Sequence, residues 1–525
     1  MKNRSKKKNS KPLANSAAAG TLMARRRAGV CLHLTSLPGA HGIGELGAAA
    51  HRFVDFIAAA GISVWQFLPT GPTAYGDSPY QPLSSFAGNE LLIDVAHLQD
   101  LGLVSGEETA PLESLPAASV DFGRLIPLKQ ELLQRAARRF QAKAPAALQR
   151  EYRAFLAGND DAWLHDYALF RALKLHHGAR PWPEWAQAYR DRDETALREF
   201  AGSHSAELES IKVVQFLFHA DWQALRNYAA ERGVLLFGDM PIYIALDSAD
   251  AWAQRDMLQI DDAGKPRAVA GVPPDYFSAD GQLWGNPLYD WAYHEKHGYD
   301  WWIRRMRHSA AMVDVVRIDH FRGFESYWSV PAGEQTARNG RWEPGPGDRL
   351  FDALRNALGH LPIVAEDLGV ITPEVEALRD RHNLPGMVVL QFEIGNPDFK
   401  LAEMRQNCVC YTGTHDNDTT LGWFAGAGND TRSDAEREEA NGRVLAITHG
   451  SAATIHQDLI RIAMQSNARL AVIPMQDFLG LGSDARFNTP GKGGENWRWR
   501  VAASDLSDGL AAELRAVTSA GKRGV

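Results

Sequence analysis

Apolar, β-branched runs of four to eight residues recur along the chain, and most are followed by a segment with helical periodicity. That is the pattern of parallel strands joined by crossover helices. Eight such segments are read at 29–35, 64–69, 235–243, 314–320, 362–367, 387–392, 408–414 and 470–476. Each is nearly continuous in hydrophobicity, as a strand buried on both faces must be, and eight of them fit a closed parallel barrel better than an open sheet. The predicted fold is therefore α/β, a (β/α)8 TIM barrel over 29–520 with large insertions at its C-terminal face and no separate C-terminal domain. The interval between the second and third segments is too long for a βα loop. It holds amphipathic stretches at 128–140 and 148–155, which predict an inserted helical subdomain over about 71–233. A second insertion, about 245–287, is rich in Pro, Gly, Asp and aromatic residues and reads as a substrate loop, not helix. From Asp505 through Arg515 an N-cap candidate and helical periodicity predict the eighth helix.

Composition narrows the class. Hydrophobic residues make up 45% and charged residues 23% of 525 positions, as in an ordinary globular protein. The net charge of −8 comes from dispersed acids without a basic stripe, so nucleic acid is not an expected partner. No apolar run reaches the roughly 18 residues that cross a bilayer, so no membrane is expected. Residues 1–28 carry Lys6, Lys7, Lys8, Lys11, Arg25, Arg26 and Arg27 around a small polar stretch and read as a disordered basic tail. No apolar core follows those charges, which argues against a secretory signal. Cys31, Cys408 and Cys410 form no C-x-x-C pair and read as reduced thiols of a cytoplasmic protein. Cys408 and Cys410, two apart in a strand, face one way and pack.

In this fold the catalytic groups sit at the C-terminal ends of strands. The fourth segment ends with Arg317 and Asp319, the fifth with Glu366, and the seventh with His415 and Asp416, while Asp239 ends the third. Arg317 and Asp319 are two apart and point to one side, so the guanidinium is expected to lower the Asp319 pKa and keep it ionised as a nucleophile. Retaining glycoside chemistry needs such a carboxylate near a second carboxyl that stays protonated, and Glu366 on the next strand is the natural acid/base. Asp416, with His415 beside it, can accept hydrogen bonds from sugar hydroxyls as the ring flattens in the transition state. Taken singly, acids at strand ends are more often caps or surface ion pairs; three on neighbouring ends of one barrel are not.

At these residues the chain resembles the amylomaltase, or disproportionating enzyme, family of 4-α-glucanotransferases. That is glycoside hydrolase family 77 of the α-amylase clan. The resemblance runs from about 29 to 500. Arg-Ile-Asp-His-Phe-Arg-Gly at 317–323, Ala-Glu-Asp-Leu-Gly at 365–369 and Thr-His-Asp-Asn-Asp at 414–418 are similar to the three catalytic motifs of the family. The resemblance implies Asp319 as nucleophile, Glu366 as general acid/base and Asp416 as transition-state stabiliser. The stretches 76–81, 238–243, 271–278 and 281–287 resemble its subsite loops. They imply glucan contacts for Asp77, Tyr80, Asp239, Asp275, Tyr276, Gln282, Trp284 and Asn286, with Arg317 and His415. Phe487, where the family usually has Met, and Glu495, where it has Gly, depart from the pattern and are expected to shift a distant subsite, not the chemistry.

The implied activity moves α-1,4-glucan segments from a maltooligosaccharide, starch or glycogen donor to the 4-hydroxyl of a glucan or glucose acceptor. No cofactor and no metal is called for. The alternatives are an α-1,4-glucan hydrolase of the same clan and a catalytically silent glucan-binding barrel, which loss of Asp319 or Glu366 would signal. Gly480 through Ala485 formally satisfies a dinucleotide fingerprint, but Asn488-Thr489-Pro490-Gly491 breaks the chain where the helix must begin.

Overall fold

The computed structural model describes residues 22–274, 278–426 and 433–524. Among them twelve strands run in order: β1 (Arg27–Cys31), β2 (Val64–Gln66), β3 (Leu235–Met240), β4 (Ala268–Val272), β5 (Gln282–Pro287), β6 (Val315–Ile318), β7 (Ser326–Pro331), β8 (Arg341–Pro344), β9 (Ile363–Ala365), β10 (Gly386–Val389), β11 (Cys408–Tyr411) and β12 (Leu470–Pro474). Eight of them form one parallel sheet in the order β10-β11-β12-β1-β2-β3-β6-β9, and each falls on one of the eight predicted segments. The sheet curls into a barrel whose last seam, between β9 and β10, is joined by the Ala365 N–H donating to Pro385 O at 2.8 Å. Asp367 reinforces that seam by accepting from the Met387 N–H at 2.7 Å and pairing with Arg379 and Arg405.

Alternation along the strands explains why both faces are apolar. On β12, Leu470 and Val472 pack in the lumen with Cys31, Val64, Phe237 and Val409, while Ala471 and Ile473 face the helices. Cys408 and Cys410 both lie on the helix side, buried and unpaired by disulfide. Gly29 permits a close approach in the lumen wall, because a Cβ there would stand 2.9 Å from Val472 Cγ2.

The first insertion is helical, as predicted, with longer helices than the periodicity marked: Phe122–Lys143 and Ala146–Asn159, followed by His165–His176 and Ser205–Glu231. Its hydrophobic core is continuous with that of the barrel. Lys129, fully buried, bonds Glu45 and donates to Ile93 O at 2.8 Å, tying the first of these helices to the loop after β1. The second insertion is corrected. It contains β4 and β5, which join β7 and β8 from beyond β6 in an antiparallel sheet of order β5-β4-β7-β8. The partner strands lay outside the predicted loop, and the Gly and Pro content of 268–287 hid the pairing. The predicted last helix is present as Asp508–Ala520, capped by Ser507. No helix among the described residues is long and apolar enough to cross a membrane.

The predicted tail boundary also moves. Leu22 is buried against the floor of the barrel lumen, and Arg27 already belongs to β1, so the folded body begins inside the stretch read as tail; residues 1–21 lie outside the described residues. Arg26 donates to the carbonyls of Met464 at 2.9 Å and Gly521 at 3.0 Å. Arg523, 1% exposed, donates to the carbonyls of Met464, Arg27 and Ala468 at 2.6, 3.1 and 2.7 Å. Burial, and next the neighbouring charge of Arg26, push its guanidinium down to about 10. Replacing Arg523 by Ala strands those carbonyls, and a stability loss of about 2–4 kcal/mol is expected, read as a lower urea midpoint with transfer activity at 25 °C retained.

Candidate active site

Register brings the predicted acids together. Arg317 pairs with Asp239 on β3 and with Val364 on β9, and Ile318 pairs with Ala365, so Asp319 and Glu366 leave the sheet side by side. The ladder continues past them, with the Asp319 N–H on Met240 O at 3.1 Å and the Glu366 N–H on Ile318 O at 3.0 Å. His320 then adopts a left-handed conformation (φ 52°), and this turn aims its N–H at Glu366 Oε2, 2.7 Å away. The Leu368 N–H donates to Glu366 Oε1 at 2.8 Å, so the carboxyl is fixed at both oxygens.

Arg317 is shared. One nitrogen contacts Asp239 Oδ2 at 2.7 Å and another Asp319 Oδ1 at 2.9 Å. Burial disfavours its charge, but the two carboxylates outweigh burial and its pKa is raised. The expected effect on Asp319 is corrected in sign: burial lifts the Asp319 pKa above its ordinary value, and Arg317, although it pulls downward, does not overcome burial together with Asp239 and Asp416. Glu366 is pushed up to about 7, by burial first and by Asp319 next, against the downward pull of Arg317 and the two backbone N–H donors. Asp319 has a cation in contact, and Glu366 is held by neutral N–H groups. A proton shared by this pair therefore resides on Glu366.

The other predicted residues extend the constellation. The Tyr80 hydroxyl donates to Asp239 Oδ2 at 2.7 Å and lies 2.9 Å from His415 Nε2. Because the single phenolic proton goes to Asp239, His415 presents Nε2–H to the Tyr80 oxygen. The two rings stack at 5.3 Å, and Nε2 is 3.4 Å from Asp416 Oδ1. A chain of polar contacts thus joins Asp319 to Asp416 through Arg317, Asp239, Tyr80 and His415. On β5, the exposed Gln282 accepts from Trp284 Nε1 at 3.1 Å, and the Trp284 ring meets His320 edge-on at 4.7 Å. Asn286 is buried, with its amide donating to Ile244 O at 2.9 Å and accepting from Gln81 at 3.2 Å. Asp77, in a left-handed turn (φ 56°), is raised by burial against the pull of Arg498. Asp275 and Tyr276 lie outside the described residues.

Two side chains were missed. Asn488 donates to Asp416 Oδ1 at 2.6 Å, and Arg486 donates to Asp416 O at 2.7 Å. Their signal was a pair of polar residues two apart beyond the eighth strand, masked by the Thr-Pro-Gly that follows. Phe487, expected at a distant subsite, instead lines a small cavity with His33 and His415 and packs edge-on against Trp497 at 5.5 Å. Glu495 is exposed.

A parallel barrel with carboxyls of unlike environment on adjacent strand ends defines an enzyme of the barrel class that handles glycosidic bonds. The sequence profile of glycoside hydrolase family 77, described as 4-alpha-glucanotransferase, matches residues 32–505, and the chain belongs to that family. It is 46% identical to the 4-alpha-glucanotransferase of Thermus thermophilus, over 95% of this chain and 99% of that one. It is 45% identical to that of Synechocystis over 95% and 98%. An amylomaltase from Streptococcus agalactiae, solved with acarbose, superposes with a TM-score of 0.90 at 35% identity, covering 95% of this chain and all of that one. The amylomaltase of Corynebacterium glutamicum shares the fold, with a TM-score of 0.78 at 20% identity over 97% of this chain and 77% of that one. The activity of the chain is 4-α-glucan transfer.

Proposed function

We propose that the transfer runs as a retaining double displacement in which Asp319 is the nucleophile, Glu366 the general acid and base, and Asp416 the transition-state stabiliser. The observation that carries this reading is the pairing of Asp319, in contact with Arg317, with a Glu366 raised to about 7. Glu366 gives its proton to the glycosidic oxygen while an Asp319 oxygen attacks the anomeric carbon, so the C–O bond breaks, the leaving glucan departs as an alcohol, and a glycosyl ester remains. An acceptor 4-hydroxyl, losing its proton to Glu366, then attacks the same carbon and releases Asp319. Two inversions retain the α configuration. Asp416 takes hydrogen bonds from the sugar hydroxyls as positive charge develops at the ring.

The donors are α-1,4-glucans of the maltooligosaccharide, starch or glycogen type, and glucose serves as the smallest acceptor, in the cytoplasm. Support for the sugar class comes from the Streptococcus agalactiae amylomaltase, a similar protein solved with acarbose. Asp77, Tyr80, Gln282 and Trp284 then surround the glucan, and the family resemblance implies the same role for Asp275 and Tyr276, whereas Asp239, its side chain fully buried against Arg317 and Tyr80, acts by holding those two side chains. Asn286, whose amide is engaged by protein, acts by fixing the loop. The hydrolase alternative shares the first half-reaction and differs in what resolves the ester.

Maltotriose incubated with the purified protein, without added metal, separates the readings. A ladder of longer maltooligosaccharides with glucose release and little net gain of reducing ends is expected. Rising reducing ends without longer products would favour hydrolysis, and inertness a silent binding protein.

A further inference from the structure

Asp416 is the least confined of the three acids. Its side chain is 47% exposed, and it sits on the loop after β11, beyond the last strand hydrogen bond. Such a carboxylate samples several rotamers, whereas transition-state stabilisation needs it placed to within about 0.5 Å. The segment after β12 supplies what is missing. Asn488, 8% exposed, donates its amide to Asp416 Oδ1 at 2.6 Å. One guanidinium holds the backbone on either side of that bond: Arg486 donates to Asp416 O at 2.7 Å and to Asn488 O at 2.7 Å. The contacts close a ring from Arg486 through the Asp416 main chain, its carboxylate and Asn488 back to Arg486. Phe487, between the two, points the opposite way into the core beside His33 and Trp497 and anchors the segment. Asn496 closes the loop downstream by accepting from the Thr489 N–H at 2.9 Å and donating to Lys492 O at 2.8 Å.

We propose that Asn488, with Arg486 behind it, is a positioning residue for the transfer reaction: it turns the Asp416 carboxylate so that Oδ1 is occupied by protein and Oδ2 faces the sugar. This rests on the reading of Asp416 as transition-state stabiliser. Among the described residues both side-chain contacts of Asp416, from Asn488 and His415, fall on Oδ1. The chemistry of the donor also fits. A neutral amide orients the carboxylate without cancelling its charge, whereas an arginine side chain in its place would form an ion pair and weaken the attraction to the developing oxocarbenium ion. Arg486 accordingly meets the Asp416 carbonyl and not its carboxylate.

The test compares Asn488→Ala, Asn488→Asp and Asp416→Asn with the unmodified enzyme on maltotriose across pH. Asn488→Ala is expected to lower kcat by about tenfold to a hundredfold at every pH, with KM changed by no more than about threefold. Asn488→Asp places two carboxyls within hydrogen-bond reach, and these cannot both ionise. At acid pH the protonated partner donates as the amide did. As pH rises that proton is lost and two like charges repel, so kcat relative to the unmodified enzyme falls with increasing pH. His415, Tyr80, Arg486 and Asp319 are the titratable or charged groups around Asp416, and they are common to both proteins, so the ratio cancels them. If Asp416→Asn retains near-normal transfer, the assignment of Asp416 fails and this inference with it. If Asp416→Asn is inactive while Asn488→Ala keeps its kcat, or the Asn488→Asp ratio is flat with pH, the positioning role is overturned and Asp416 keeps its own. Should the alanine variant not fold, the near-isosteric Asn488→Asp alone decides.

Discussion

Asp319→Asn is expected to lower kcat for maltotriose disproportionation by about four orders of magnitude, some 5 kcal/mol of lost transition-state stabilisation, with the fold intact. The substitution is nearly isosteric and leaves Asp239 paired with Arg317 at 2.7 Å, so the buried cation keeps one full counter-charge and the amide oxygen can still accept at the position of Oδ1. What is lost is the attacking oxygen. An amide carbonyl is a poor nucleophile, and the adjacent Asp239, occupied by Arg317 and Tyr80, does not replace it. Initial rates of glucose release, with circular dichroism and a urea midpoint to confirm folding, check the result. Residual transfer above about 1% of the unmodified rate would show that the glycosyl ester forms elsewhere or not at all.

The sequence was most informative where physical constraint is strongest. Barrel strands are buried on both faces, so their segments are unbroken in hydrophobicity, and all eight were legible. A buried strand tolerates few charges, so Arg317, Asp319 and Glu366 stood out at strand ends, and register then placed Asp319 and Glu366 together. Features that depend on partners distant in sequence were not legible. The strands β4 and β5 pair with each other and β4 with β7, and nothing within 245–287 announces that β7 lies beyond the next barrel strand. Arg26 and Arg27 looked like tail because charge clusters usually are solvated; their carbonyl and serine partners come from across the barrel floor. The sign of the Asp319 shift failed for a related reason. Spacing reveals one neighbouring guanidinium, whereas burial and the carboxylates of Asp239 and Asp416 emerge only when the strands assemble. Asn488 belongs to the same category, since its meaning lies in a contact with a residue 72 positions earlier.

Glu366→Gln separates the two halves of the reaction. With maltotriose as donor, kcat is expected to fall by about three orders of magnitude, because the departing sugar alkoxide no longer receives a proton. In the unmodified enzyme the acid must be protonated to act, so with Glu366 at about 7 the free-enzyme profile of kcat/KM should decline as pH rises through about 7. That basic limb disappears in the variant, whose amide does not titrate. A maltosyl fluoride of α configuration bypasses the first requirement: an Asp319 oxygen displaces fluoride, which leaves as the anion and needs no proton. The second half-reaction still lacks its base, because the acceptor 4-hydroxyl has nothing to take its proton. The glycosyl ester should therefore accumulate in Glu366→Gln and be seen by mass spectrometry as a maltosyl adduct on the peptide containing Asp319, absent when Asp319→Asn is added. The backbone N–H groups of His320 and Leu368 that hold Glu366 can still be met at the amide oxygen, one at a time, so loss of placement is partial while loss of the proton is complete. A variant that keeps kcat within about tenfold on maltotriose, or that retains the limb near pH 7, would move the acid/base role to another residue.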